Sequence, residues 1–115
     1  MLFATSVDGL VIAGNRNSVP SASELLASAR MDDLLGYIRR RSSGALVIFD
    51  LPPVLSTDEA LVVAPRTDAM FVVVAEGQTR RDGLAKTIDL LGDFNVAGLI
   101  LNRSSQKMGA DYYSI

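Results

Sequence analysis

Cysteine and histidine are both absent from the 115 residues. Without cysteine there is no disulfide framework, no cysteine nucleophile and no thiolate metal site. Without histidine there is no serine–histidine triad, and the commonest zinc ligand and proton shuttle is missing. A surplus of positive charge is missing too. Eleven Lys and Arg stand against 13 Asp and Glu, for a net charge of −2. With a pI near 4.9, this argues against a chain that lives on nucleic acid. No apolar run reaches the ~18–20 residues of a membrane helix. The opening stretch MLFATSVDGLVIAGN lacks a basic n-region and carries Asp8, so it is a poor signal peptide. These absences leave a cytoplasmic domain as the expectation.

What is present is a core. Apolar residues make up 49% and charged residues 21%, and mean hydropathy is +0.27, so the chain is not disordered by composition. Its length suits one domain, which on folding should bury roughly 60–70% of the unfolded surface.

The apolar residues come in short blocks. Gly9–Ala13 (GLVIA) reads as a strand closed by Gly14 and Asn15. A loop follows to Ser23, with Pro20 fixing a turn. Ser21-x-x-Glu24 has the form of a capping box. Leu25, Leu26, Ala29, Leu34, Leu35 and Ile38 then recur at helical spacing, predicting one or two helices over 23–41. Arg39, Arg40 and Arg41 end that stretch, where cations suit the helix dipole. Ala45–Phe49 (ALVIF) is a second apolar run, ending at Asp50. Ser56-x-x-Glu59 predicts a helix that Pro65 stops. Ala69–Ala75 is a third run. Thr79-x-x-Asp82 opens a helix to about Leu91, with Leu84, Ile88 and Leu91 on one side. Val96–Leu101 is the fourth run, and the tail from Asn102 to Ile115 is polar.

Continuous apolar strands without alternation suit a sheet covered on both faces. Alternation with helices implies right-handed βαβ units and parallel pairing. The expected fold is α/β: a three-layer, mostly parallel sheet of about four strands with helices on both faces. Ligands of such sheets bind at the strands' carboxyl ends. That selects Gly14–Asn15, Asp50–Pro53, Glu76–Thr79 and Asn102–Arg103. Asp50 stands out, because a carboxylate ending a buried strand needs a partner. Magnesium, directly or through water, is one; a simple turn-capping role is the other reading. Pro52 and Pro53 stiffen the backbone beside it.

Several motifs combine. They are Ala13–Gly14, PSASELLAS followed by Met31 and Leu34–Leu35, VIFDLPPVLSTDEA, Asp68 before MFVVVAEGQT, and LILN ending at Asn102. Together they resemble the bacterial tyrosine kinases of capsule and exopolysaccharide export, in the deviant-Walker, MinD/ParA-like group of P-loop proteins. The resemblance runs from about Gly9 to Tyr113. It implies a partial P-loop NTPase fold over 1–103 and a flexible tail over 104–115. It also implies ATP and Mg2+ as cofactors. Asp50 would then organise magnesium through a water as the catalytic Walker B aspartate. Asn102 would lie at the adenine, with Arg103 stacking on or flanking the base. Asp58 would be structural, and Tyr112 and Tyr113 would be autophosphorylation sites.

The departures are as informative. The phosphate loop G-x-x-x-x-G-K-[ST] is absent, since none of the nine glycines precedes a lysine. That loop's amides and lysine cradle the phosphates. The second Walker aspartate of the family is absent as well. Both are expected upstream of Met1, making this the C-terminal half of a kinase domain that is inactive alone. The implied function is the Walker B portion of an ATP-dependent protein tyrosine autokinase of polysaccharide biosynthesis. A MinD/ParA-like ATPase and a truncated, non-catalytic binding module are the alternatives. Expected partners are a second copy along a bare sheet edge and a membrane-anchored polysaccharide co-polymerase or activator, which would hold the chain at the inner membrane face. Nucleic acid is not expected.

Overall fold

A computed structural model of the chain describes residues 2–15, 17–41 and 43–105. The elements in order are β1 (Leu2–Ala4), β2 (Val11–Ala13), α1 (Ala22–Ala27), α2 (Ala29–Arg41), α3 (Glu59–Val63), a 3-10 turn (Ala64–Arg66), β3 (Met70–Ala75), α4 (Arg81–Leu91) and β4 (Val96–Asn102).

The chain is mixed α/β, but the expected four-stranded parallel sheet is not present among the described residues. There are two separate pairs, β1–β2 antiparallel and β3–β4 parallel. The first is a hairpin that the sequence reading did not foresee. Phe3 pairs with Ile12, and the strands are joined through Thr5–Leu10. The Thr5 hydroxyl donates to the Val7 and Leu10 carbonyls, and Gly9 takes the left-handed φ of 77° that the turn requires. Asp8-Gly9 is the turn signal that marks such a hairpin.

The expected strand Ala45–Phe49 is not a strand. It runs without ladder partners, and Leu46 and Ile48 are 85% and 79% exposed. A strand exists only by pairing, and no strand among the described residues pairs with this segment. The layers are open for the same reason. Register places Val73 and Ile100 on one face of the β3–β4 pair, with Phe71 beside them over Gly98. Phe71 and Val73 are 61% and 59% exposed, so that face carries no helix.

The β3–α4–β4 unit does form as expected, with Phe71 opposite Gly98 and Ala75 opposite Asn102. Helix α4 buries Leu91, and the Thr87 hydroxyl, also buried, donates to the Gly83 carbonyl at 3.0 Å. Among the described residues the other buried side chains are Ala60, Val63 and Ala64, from α3 and the turn after it. Pro65 sits in that turn, just past the end of α3.

Neither expected capping box, at Ser21 or at Ser56, forms, and no side-chain cap forms at the Thr79 helix start. Ser21 stands before α1 with φ 56°, so its hydroxyl makes no cap. Helix α3 begins only at Glu59, after Asp58. The Thr79 hydroxyl turns back to accept a hydrogen bond from the Ala75 amide at 2.9 Å. Ser28 divides the first helical stretch in two, because its extended backbone (ψ 156°) cannot continue α1. Arg66 ties this region together. Its guanidinium pairs with Asp32 at 2.7 Å and donates to the carbonyls of Val62 (3.0 Å) and Ala27 (3.2 Å).

The radius of gyration is 16.7 Å, against about 13 Å for a compact chain of this length. Accessible surface is 9727 Å², against roughly 6,100 Å² for a closed domain of this mass.

Candidate functional site

The polar groups gather where the parallel pair ends. Strand β3 leaves the sheet in a tight turn. The Ala75 carbonyl accepts from the amides of Gln78 (3.1 Å) and Thr79 (3.0 Å), and Gly77 supplies the left-handed φ of 71°. The last rung of the ladder runs from the Glu76 amide to the Asn102 carbonyl at 3.0 Å. The chain beyond β4 then turns sharply at Arg103, whose φ of 55° is unusual for a side chain with a Cβ. The Arg103 amide donates to Asn102 Oδ1 at 2.8 Å, which holds the turn.

Two ties join the loops. Arg103 Nη1 donates to Gln78 Oε1 at 2.8 Å. Glu76 Oε2 accepts from the Ser105 amide and from the Ser105 hydroxyl. The Ser105 amide, then its hydroxyl, hold the Glu76 carboxyl below the usual glutamate range, against a small opposing effect of burial; Ser104 adds to the lowering. These donors favour the charged form directly. The result is a preorganised rim carrying one carboxylate, one guanidinium and the Asn102 amide.

The structure therefore brings Asn102 and Arg103 together, at adjacent positions of one turn. Asp50 is exposed at the end of the unpaired extended segment. No hydrogen bond or ion pair ties it to the rim among the described residues. Asp58 precedes α3, and its carbonyl accepts from the Val62 amide at 3.1 Å. Tyr112 and Tyr113 lie outside the described residues. Glu76, Gln78 and Ser105 were not singled out by sequence, although Glu76–Thr79 was marked as a strand end where ligands bind. The missing signal was the pairing partner. Nothing in the order of residues says that Ser105 reaches back to Glu76.

Asp50 fits magnesium only in part. Magnesium is ordinarily held by one or two carboxylates, with waters and substrate phosphates completing its octahedron. Among the described residues no group of three or more acidic side chains forms a cage. A single exposed carboxylate suits a water-mediated role beside phosphates supplied by a ligand. The exposed Asn102–Arg103 turn suits a planar, hydrogen-bonding ring, since a guanidinium stacks on flat π systems and an amide reads ring edges.

Sequence comparison adds to this geometry. The chain is 30% identical over 110 residues to the tyrosine-protein kinase Ptk of Acinetobacter johnsonii, covering 94% of this chain. The chain is similar to bacterial tyrosine-protein kinases. A second such relative, YwqD of Bacillus subtilis, is 27% identical over 95 residues, or 81% of this chain. The chain spans 15% of the first relative's length and 39% of the second's. No family model and no solved structure matches it. Among the described residues no helix is long and apolar enough to cross a membrane.

Proposed function

We propose that this chain is the Walker B portion of an ATP-dependent protein tyrosine autokinase, acting in capsular or exopolysaccharide biosynthesis and export. The observation that carries the reading is the similarity to two tyrosine-protein kinases along most of the chain. Asp50 organises magnesium through a water. Asn102 and Arg103 hold the adenine end of ATP, and the Gln78 tie fixes the guanidinium in place. Tyr112 and Tyr113 accept phosphate in a neighbouring subunit. Magnesium held there would supply charge neutralisation for the transferring phosphate. No G-x-x-x-x-G-K-[ST] occurs in the sequence, and on this reading a segment outside these residues would supply the phosphate cradle. The bare faces of β3–β4 and the exposed Ala45–Phe49 run support self-association or docking on a membrane-anchored co-polymerase. The same exposed apolar surface favours, as a second reading, a non-catalytic binding module.

The test begins with the genomic sequence upstream of Met1. If it encodes an in-frame phosphate loop, the longer protein is expressed and phosphotyrosine is followed with ATP and magnesium. Asp50→Asn should then lower phosphotransfer roughly 100-fold or more. Phosphotransfer unchanged by Asp50→Asn would refute the assignment. Retained binding to an export partner, with no phosphotransfer, would select the binding module.

A further inference from the structure

Helix α2 ends in three successive arginines, Arg39, Arg40 and Arg41, and Tyr37 lies just before them. Tyr37 is 53% exposed. The Arg41 guanidinium carbon stands 5.6 Å from the centre of its ring. Arg40 folds back along the helix. Its Nη1 lies 3.2 Å from where a Cβ on Gly36 would sit, so the missing side chain of Gly36 makes room for it. The ion pairs among the described residues are Arg66–Asp32 and Arg80–Asp82. Arg39, Arg40 and Arg41 therefore have no carboxylate within ion-pair distance there. One turn earlier, Asp33 is the opposing charge, and Arg30 lies two turns earlier on the same side.

One guanidinium, that of Arg41, thus lies over the ring of an accessible phenol, and a second, that of Arg40, is three residues along the same helix, where side chains are neighbours. We propose that Tyr37 is a phosphorylation site, and that Arg40 and Arg41 receive the phosphate. The proposal rests on the kinase reading above for the enzyme that writes the mark. The phenolic oxygen of Tyr37 attacks the γ-phosphorus of ATP held by another kinase molecule. The new O–P bond forms as the bond to the β–γ bridging oxygen breaks, ADP leaves, and the phenol proton passes to a carboxylate of that kinase or to water. The product carries about −1.5 to −2 charge at neutral pH. Alone, such a charge near a helix carboxyl end would be unfavourable. Paired with Arg40 and Arg41 it forms charge-assisted hydrogen bonds, and it replaces the ring as the partner of Arg41. The mark converts a basic helix end into a neutralised, more rigid one.

Two measurements test this. First, the chain is incubated with a full-length, active bacterial tyrosine kinase, ATP and magnesium. Trypsin then releases Met31–Arg39 separately from the tail peptide Met108–Ile115. Phosphate on Met31–Arg39 is expected. Phosphate on the tail peptide alone would overturn the Tyr37 assignment and leave the kinase reading standing. Phosphate on neither would overturn it too and would count against the tail acceptors. Second, phosphotyrosine is installed at position 37 by genetic code expansion. At low salt the melting midpoint should rise by about 3–6 °C over the unmodified chain, and the gain should vanish in the R40Q/R41Q variant. An unchanged or lowered midpoint, or a gain that survives R40Q/R41Q, would overturn the arginines as the receiving groups.

Discussion

The runs Ala45–Phe49 and Met70–Ala75 read almost alike in sequence, and they end differently. Met70–Ala75 finds β4 within reach, delivered by α4, and becomes a strand paired over its whole length. Ala45–Phe49 finds nothing and stays extended, with Leu46 and Ile48 facing solvent. An apolar run states that a segment wants to be covered; it does not state by what. The two strands of the β3–α4–β4 unit pair because they lie within a few tens of residues of each other on the same chain. The earlier run depends on a neighbour that the described residues do not contain.

That contrast can be broken where it is strongest. Leu91 is 2% exposed, so Leu91→Ala should cost about 2–4 kcal/mol in urea unfolding. Leu46→Ala, at an open position, should stay within roughly 0.5 kcal/mol. Equal losses would mean that Leu46 is covered in solution, which would itself report association. A second probe is Phe71→Lys on the bare sheet face. If copies cover that face, light scattering should show the mass of the parent chain falling toward the monomer in the variant. A parent already monomeric at high concentration would assign the covering role to a different partner.

A smaller effect is expected at Arg66. Removing its bonds to Val62 and Ala27 should cost about 1–2 kcal/mol. A double-mutant cycle with Asp32→Asn should attribute less than about 1 kcal/mol to the ion pair, because Asp32 is exposed to screening water. The smallest effect is pH-dependent. The Glu76 carboxyl titrates lower in the folded chain than in the unfolded one. The stability it contributes is therefore present above its unfolded pKa and is lost as pH falls through the folded one. Melts from pH 6 down to pH 3 should show a shallower acid decline in Glu76→Gln. The same decline in both chains would mean that the Ser105 tie is not formed in solution.

The parallel unit was legible because each of its signals was local. There was an apolar run, a turn with Gly77, a helix of about three turns and a second run. Helix limits near Arg41 and Leu91 were legible for the same reason. The β1–β2 hairpin was written in Asp8-Gly9 but masked by strands of only three residues. The capping boxes failed because matching residue types do not fix a backbone conformation. Ser21 in a left-handed geometry makes no cap with its hydroxyl, and the Thr79 hydroxyl is taken by the Ala75 amide. At the strand ends, sequence logic selected Asn102–Arg103 and Glu76–Thr79 as candidates. The Glu76–Ser105 and Gln78–Arg103 ties depend on register, and no residue announces its register alone.

The turn at Arg103 has a consequence for sequence search. A left-handed backbone at a residue with a Cβ carries a penalty of roughly 1–2 kcal/mol, which glycine avoids and asparagine reduces. A library at this position selected for thermal survival alone should drift toward glycine or asparagine. On the proposed reading, one selected for nucleotide retention should return to arginine. The amino acid that wins at position 103 would thus report which pressure the molecule was placed under.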